Sequence, residues 1–229
     1  MSHDHHAHDA HDAHEAPTDM PADITDLYSQ ATWDTRYAES DRVWSGNPNP
    51  RLVEHVADLT PGRALDVGCG EGADVVWLAG QGWQVTGADV SPVALAKAGA
   101  HAAEAGVRGS VELVQVDVIA GEALPGGQDL VSVQFFHPPA EMFVEVHQRL
   151  GAAVAPGGHL LVVGHHPDDL ATGARRPHGP DLLFTPERVV AALDQADWEI
   201  VVVAAPTREH QHADGPVTVR DTVVLAKRR

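Results

Sequence analysis

The sequence predicts one α/β domain built on a mostly parallel sheet with helices on both faces. The first observation is that strand-like and helix-like segments alternate regularly from about residue 63 onward. The second is that the strand-like runs are almost continuously apolar, as in strands that helices cover on both sides. The third is that 229 residues, 43% of them hydrophobic, suffice for one substantial core and do not require two.

Two helices are predicted before this alternation begins. The first spans residues 24–37, and its apolar side chains recur at helical spacing, at Ile24, Leu27, Tyr28, Ala31 and Tyr37. Prolines and asparagines at residues 47–50 then interrupt the chain. A second helix is predicted from about residue 50 to residue 59, where proline and glycine stop it.

The alternating region supplies five predicted parallel strands and four helices. The strands are predicted at residues 63–67, 84–88, 110–115, 130–134 and 159–164. The helices are predicted at residues 72–81, 92–105, 140–155 and 186–196. Because ligands bind outside the carboxyl ends of parallel strands, functional residues are expected in the loops that follow them.

The end of the chain shows a different pattern. Residues 199–204 and 217–226 are strand-like, and the loop between them has no helical periodicity. A parallel crossover needs a dozen or more residues, which are usually helical. These last two strands are therefore predicted to form an antiparallel hairpin.

The N-terminal segment is predicted to be a disordered tail of residues 1–22, with the folded domain spanning residues 23–229. Six histidines lie there among small and acidic residues, at His3, His5, His6, His8, His11 and His14. Imidazole and carboxylate groups suit nickel or zinc, so one hypothesis is that the tail binds metal. The alternative is a solvated extension without function.

Composition excludes several functional classes. Only 15 Lys and Arg oppose 33 Asp and Glu, so the formal charge of -18 repels phosphate backbones and a nucleic-acid partner is not expected. No apolar run approaches the roughly 18 residues of a membrane span, and no signal peptide is recognisable, so the expected location is the cytoplasm, away from membranes. Cys69 is the only cysteine, which excludes an intramolecular disulfide.

The most informative motif is a strand that runs into a glycine-rich turn and then a helix, LDVGCGEG at residues 65–72. Gly68 and Gly70 allow a tight turn and a close approach of the backbone to a ligand. Together with Ala73 they also fit the dinucleotide fingerprint, and Asp89 lies about 20 residues on, where a ribose-binding acid belongs. The loop alone is thus compatible with a nicotinamide-dependent oxidoreductase.

Three features favour a cationic cofactor instead. Asp66 lies two residues before Gly68, on the same side of the strand end, where its carboxylate meets a cation and gains nothing from a pyrophosphate. Asp117 follows the third strand and is suited to accept from an adenine amino group. The predicted terminal hairpin is foreign to ordinary dehydrogenase domains. S-adenosylmethionine, which carries an ammonium and a sulfonium, fits these features.

The motifs resemble those of class I S-adenosylmethionine-dependent methyltransferases over residues 33–226. The family's first motif is similar to LDVGCGEG, its ribose acid to Asp89, its adenine-side motif to Asp117 and Val118, and its fourth-strand motif to residues 129–134. The resemblance implies a Rossmann-like sheet of seven strands with an antiparallel last strand. The expected cofactor-binding residues in this core are Asp66, Gly68, Cys69, Gly70, Asp89, Val90, Asp117, Val118 and Gln134.

A second, shorter resemblance concerns the segment before the first strand. Its residues Trp33, Arg36, Tyr37 and Trp44 resemble the N-terminal cap of small-molecule enzymes related to the tellurite-resistance and thiopurine methyltransferases. The resemblance implies that Arg36 meets the methionine carboxylate of the cofactor and that Trp44 walls the pocket. The alternative is a helix packed by its aromatic residues, with a solvated arginine.

Methyl transfer from a sulfonium is an in-line displacement on an already activated group, so the protein mainly supplies proximity, orientation and desolvation. The expected acceptor is a small molecule with an oxygen, nitrogen, sulfur or heavier chalcogen nucleophile. Candidate bases are His137, His165 and His166, which follow the fourth and fifth strands. The alternatives are that these histidines cap helices or face water, and that the protein binds the cofactor without turnover.

Overall fold

A computed structural model describes residues 24–172, 179–210 and 215–229. The histidines of the predicted tail lie outside these residues, so the structure does not address the tail or its metal hypothesis. The described part is built around one sheet of eight strands with helices on both of its faces.

The strands follow one another in the order β3-β2-β1-β4-β5-β8-β6, with β7 paired to β8. Their bounds are β1 Arg63–Val67, β2 Gln84–Asp89, β3 Val111–Gln115, β4 Gln128–Gln134, β5 Val154–His165, β6 Trp198–Ala204, β7 Thr207–His210 and β8 Val217–Arg228. The first five strands are parallel, and β8 is antiparallel to both β5 and β6. The predicted mostly parallel sheet with an antiparallel end is therefore confirmed.

The short strand β7 is an eighth strand that the sequence pattern does not predict. Its four residues read Thr-Arg-Glu-His and lack the apolar character on which the prediction of strands rests. It pairs with residues 217–220 of β8, and the rest of β8 lies between β5 and β6.

The helices are α1 Gln30–Ala38, α2 Pro50–Val56, α3 Ala73–Gly80, α4 Pro92–Glu104, α5 Phe143–Ala153 and α6 Pro186–Ala192. The single helix predicted over residues 24–37 is instead a 3-10 turn, Ile24–Tyr28, followed by α1. The break falls at Ser29, which has an extended backbone and caps α1 by accepting a hydrogen bond from the Thr32 N–H. α6 ends before the predicted residue 196 because Leu193 is extended.

Alternate residues of each strand pack on opposite faces of the sheet. On one face, Leu65 and Val131 join the cluster that includes Phe143 of α5. On the other face, Ala64 joins the cluster that includes Leu78 of α3. Among the described helices, none combines the length and the apolar character that a membrane crossing requires.

Candidate active site

A cavity of about 560 Å³ lies at the carboxyl ends of the parallel strands. The strand order reverses between β1 and β4, which is where open α/β sheets bind their ligands. The glycine loop after β1 forms one wall, and residues that follow β2, β3 and β4, together with the last residue of β5, form others. Residues of α1 and of the segment after it cover the cavity, which has the size of a small-molecule site.

Three glycines shape the loop after β1. Gly68, Gly70 and Gly72 have φ angles of 71°, 52° and 83°, in the left-handed region. A Cβ atom on Gly70 would lie 2.8 Å from the Tyr37 hydroxyl, and one on Gly72 would lie 2.8 Å from the Cβ of Ala98 in α4. The loop therefore needs glycine both for its conformation and for close packing.

Asp89 ends β2 and lines the cavity beside this loop. Its Oδ2 accepts a hydrogen bond from the Gly70 N–H at 2.9 Å, and its Oδ1 accepts one from the Ser91 N–H at 2.9 Å. Burial raises the pKa of this carboxyl, an effect that the hydrogen bonds oppose. The predicted ribose acid thus also holds the glycine loop against the start of α4.

Two further carboxyls, Asp66 and Asp74, line the same side of the cavity. Asp66 is 3% exposed, lies beside Ser132 of β4 in the sheet register, and shares a hydrogen bond with its hydroxyl. Burial, reinforced by the nearby Asp74, raises the pKa of Asp66 well above its usual range, and burial raises that of Asp74 to about 6. A positively charged ligand relieves this cost, so the pair fits a cation.

Gln134, at the end of β4, brings an acceptor to the cavity. Its Nε2 donates a 2.8 Å hydrogen bond to the Ser132 hydroxyl. Its Oε1 is buried and makes no hydrogen bond among the described residues. A buried acceptor is costly unless a ligand supplies a donor, so this oxygen indicates a binding role.

The remaining predicted residues of the cofactor core also line the cavity. Asp117 accepts a 2.8 Å hydrogen bond from the Ala120 N–H, which orders the loop after β3, and Val118 is buried beside it. Val90 follows Asp89 at the end of β2. Burial raises the pKa of the Cys69 thiol well above its usual range, so this side chain is a neutral packing group.

The predicted cap covers the cavity with aromatic rings. The Arg36 guanidinium carbon lies 5.3 Å from the Trp33 ring centroid and 5.5 Å from that of Trp44. The Trp44 indole N–H donates a 3.1 Å hydrogen bond to the Tyr37 hydroxyl. Arg36 lines the cavity and is half-buried, and partial burial lowers its pKa.

His137 lines the cavity and is held by two hydrogen bonds to the backbone. Its Nε2 accepts a 3.3 Å hydrogen bond from the His165 N–H, so its Nδ1 carries the proton and donates to the Leu182 carbonyl at 3.0 Å. The side chain is 2% exposed. Both ring nitrogens are therefore hydrogen-bonded to the backbone, and a base at this position would have to give up the bond to the His165 N–H.

The other two predicted histidines lie in different environments. His165 lines the cavity, with its ring centroid 4.5 Å from that of Phe135 and 5.1 Å from that of His137. His166 is not among the residues that line the cavity. Its Nδ1 accepts a 3.1 Å hydrogen bond from the Asp168 N–H and thereby caps the 3-10 turn Pro167–Ala171. This agrees with the capping alternative for His166.

Two features of the site are absent from the sequence-based prediction. Glu71, within the glycine loop, is 5% exposed and accepts hydrogen bonds from the backbone of the cap. Phe135 has a φ of 54° and is the one non-glycine residue with positive φ in the described chain. The place of Glu71 inside the glycine motif is a sequence signal for its role, whereas no sequence signal indicates the conformation of Phe135.

No group of three or more His, Cys, Asp or Glu side chains within residues 24–172, 179–210 and 215–229 is arranged to hold a metal ion.

Comparison with known proteins gives a consistent family. A family model described as a methyltransferase domain matches residues 64–158. A 2-heptyl-1-hydroxyquinolin-4(1H)-one methyltransferase from Mycobacteroides abscessus is 30% identical over 175 residues, which cover 75% of this chain and 74% of that relative. A ubiquinone biosynthesis O-methyltransferase from Burkholderia multivorans is 34% identical over 109 residues, which cover 48% of this chain and 47% of that relative, about half of its length.

Solved structures agree at the level of the fold. TehB from Haemophilus influenzae superposes with a TM-score of 0.66 at 17% identity, over 87% of this chain and 67% of TehB. The matches to the methyltransferase-domain model and to the Mycobacteroides relative support the methyltransferase interpretation of the glycine loop over the nicotinamide-dependent one.

Proposed function

The chain belongs to the class I S-adenosylmethionine-dependent methyltransferases and acts on a small-molecule acceptor, and we propose that this acceptor is a planar aromatic compound methylated on an acidic hydroxyl. The aromatic wall of the cavity is the observation that carries the proposal. The Phe135 and His165 rings line the cavity with their centroids 4.5 Å apart, and planar rings stack favourably against such surfaces.

The cofactor-side residues have charges that suit S-adenosylmethionine. Asp66 and Asp74 would meet its ammonium and sulfonium side, Arg36 its carboxylate, Asp89 its ribose hydroxyls and Asp117 its adenine amino group. When bound, the cofactor supplies an activated methyl group. The contribution of the protein is to bind, orient and shield the reactants from water.

The hydrogen bonds of His137 support an acceptor that ionises easily. Since both of its ring nitrogens are hydrogen-bonded to the backbone, we do not assign this histidine the role of taking a proton from the acceptor. A hydroxyl that is already ionised near neutral pH attacks without a base. The name of the Mycobacteroides relative describes an acceptor with a hydroxyl on a ring nitrogen. The Burkholderia relative is named as an O-methyltransferase.

The test is an acceptor panel assayed for S-adenosylhomocysteine release by the full chain. It contains an N-hydroxyquinolone, a catechol, an aryl thiol, a primary amine and an aliphatic alcohol of similar size. We expect the largest kcat/KM for an acidic aromatic hydroxyl and a methyl ether as its product. A preference for the thiol, the amine or the aliphatic alcohol would reject the proposal while leaving the methyltransferase assignment intact.

We also propose that the histidine tail binds nickel or zinc, because six histidines lie within the first fourteen residues beside acidic side chains. Titration of Ni²⁺ and of Zn²⁺ into the full chain and into residues 23–229 tests this. Extra binding sites are expected only in the full chain, and equal metal uptake by both would reject the proposal.

A further inference from the structure

Glu71 lies in the glycine loop, but its carboxylate contacts the cap. Its Oε1 and Oε2 accept from the Val43 N–H at 3.2 and 3.0 Å, and its Oε2 also accepts from the Trp44 N–H at 3.1 Å. The side chain is 5% exposed. Hydrogen bonds from backbone N–H groups to a buried carboxylate are among the stronger ones in proteins.

Lys97 of α4 completes the attachment of the cap. Its Nζ lies 3.1 Å from Oε1 of Glu71 and donates to the carbonyl oxygens of Ser40 and Asp41. The segment 40–44 is therefore held by its carbonyls to Lys97 and by its N–H groups to Glu71. The Lys97 side chain is 20% exposed, which limits screening of the pair by water.

The segment 40–44 ends at the ring that covers the cavity. Trp44 lines the cavity, donates to the Tyr37 hydroxyl and packs its ring against the Arg36 guanidinium. On the other side of Glu71, the Gly70 N–H is bound by Asp89. Asp89 thus binds the backbone of Gly70, and the next residue, Glu71, binds the backbone of Trp44, whose indole lies over the cavity.

We infer that Glu71 is a positioning residue that couples the cofactor-binding glycine loop to closure of the cap, with Lys97 as its partner. Glu71 acts through the backbone of Trp44 and slows release of the cofactor by keeping the indole and Arg36 over it. This inference rests on the assigned cofactor site and is independent of the acceptor's identity.

A double-mutant cycle on S-adenosylhomocysteine binding tests the inference. Affinity and dissociation rate are measured for the full chain and for E71Q, W44F and E71Q/W44F, with E54Q as the control. Glu54 is a surface glutamate, 54% exposed, that pairs with an arginine as Glu71 pairs with a lysine. A glutamine places an N–H₂ group where one carboxylate oxygen now accepts, so E71Q breaks the attachment.

We expect E71Q to weaken binding about 10- to 30-fold, mostly through faster dissociation, and E54Q to leave it unchanged. If Glu71 acts through Trp44, adding E71Q to W44F weakens binding by less than about threefold. Equal effects of E71Q in both backgrounds would overturn the inference, as would unchanged binding by E71Q. Equal effects in the two backgrounds mean that the substitutions are additive, which is the result expected if Glu71 only stabilises the fold and does not act through Trp44.

A second variant protects the test against misfolding. K97M keeps the carboxylate and removes its counter-ion, and we expect it to speed dissociation about three- to tenfold. If E71Q does not fold, unchanged dissociation in K97M overturns the inference. If W44F and D89A also leave binding unchanged, the assignment of the cofactor site itself is wrong. If those two variants weaken binding and only E71Q and K97M do not, the cofactor site stands and the inference about Glu71 fails.

Discussion

The Gly70 N–H donates a 2.9 Å hydrogen bond to Oδ2 of Asp89, so the acid that ends β2 holds the glycine loop that follows β1. Both residues line the cavity. A ligand between them contacts both the Asp89 carboxylate and the backbone of the glycine loop. The Asp89 carboxylate also fixes the conformation of that loop. The site is therefore sensitive to a single side chain.

We expect Asp89→Ala to weaken S-adenosylhomocysteine binding by about 1.5–3 kcal/mol, the usual loss for a hydrogen bond to a charged group. Isothermal titration measures the affinity, and circular dichroism checks that the fold survives. Asp58→Ala, on the surface after α2, is the matched control. Unchanged affinity in a folded Asp89→Ala protein would show that this residue is not a cofactor ligand.

Asp74 gives cofactor binding a dependence on pH. Burial raises its pKa to about 6, so the carboxyl is ionised at pH 7.5 and largely protonated at pH 5. Because the ionised form attracts the cofactor ammonium, we expect affinity to fall as the pH drops through 6. Asp74→Asn should bind weakly at both pH values. A wild-type affinity that does not change between pH 7.5 and pH 5 would contradict this role.

Ionised Asp74 should strengthen cofactor binding but lower the stability of the ligand-free fold. A folded-state pKa above the unfolded value stabilises the protein at low pH, and that contribution is lost as the pH rises through 6. We therefore expect Asp74→Asn to stabilise the ligand-free protein by about 1 kcal/mol at pH 7.5, since the side chain keeps some contact with water. Urea unfolding measures this, and a lower stability of the variant would refute it.

His147 of α5 should make the fold sensitive to acid. Burial lowers its pKa to about 4, and the ring lies 4.1 Å from that of Phe143. Since the unfolded chain binds the proton more readily, stability is complete above pH 6.5 and declines as the pH falls towards 4. We expect His147→Phe to remove up to about 3 kcal/mol of this loss, whereas His55→Phe on α2 leaves the acid sensitivity unchanged.

Substitutions of His137 and Phe135 should change different properties. The first should lower the stability of the fold, and the second should weaken acceptor binding. We expect His137→Ala to cost about 2–4 kcal/mol in urea unfolding, because it leaves the Leu182 carbonyl and the His165 N–H without partners and opens a cavity. The pH dependence of kcat should not change. Loss of the acidic limb, where the rate falls as a catalytic base becomes protonated, would show that His137 acts as a base.

For Phe135, glycine removes the aromatic ring and tolerates the φ of 54°. We expect Phe135→Gly to raise the KM for an aromatic acceptor about tenfold while the affinity for S-adenosylhomocysteine stays within about twofold. If both change together, Phe135 belongs to the cofactor side of the cavity instead.

The sequence predicts those parts of the molecule that depend on local pattern. Apolar periodicity predicts the five parallel strands, and the missing crossover predicts the antiparallel pairing of β6 with β8. It does not predict β7, whose polar residues form a strand only because β8 offers an edge. Among the site residues, the glycine loop and its acids follow from motif spacing.

The histidine environments depend on contacts that are distant in sequence. His137 is engaged by the carbonyl of Leu182 and by the N–H of His165, and neither contact leaves a trace near residue 137. Glu71 likewise receives its partners from the cap, at Val43 and Trp44. A sequence locates such residues near a site but does not determine which hydrogen bonds they make.

Isothermal titration with S-adenosylhomocysteine, and separately with NAD, tests the assignment of the cavity most directly. We expect one S-adenosylhomocysteine to bind per chain with a micromolar Kd, an affinity that Asp66→Ala abolishes, and no heat from NAD. Binding of NAD alone, or an affinity for S-adenosylhomocysteine that survives both Asp66→Ala and Asp89→Ala, would contradict the cofactor site described for this cavity.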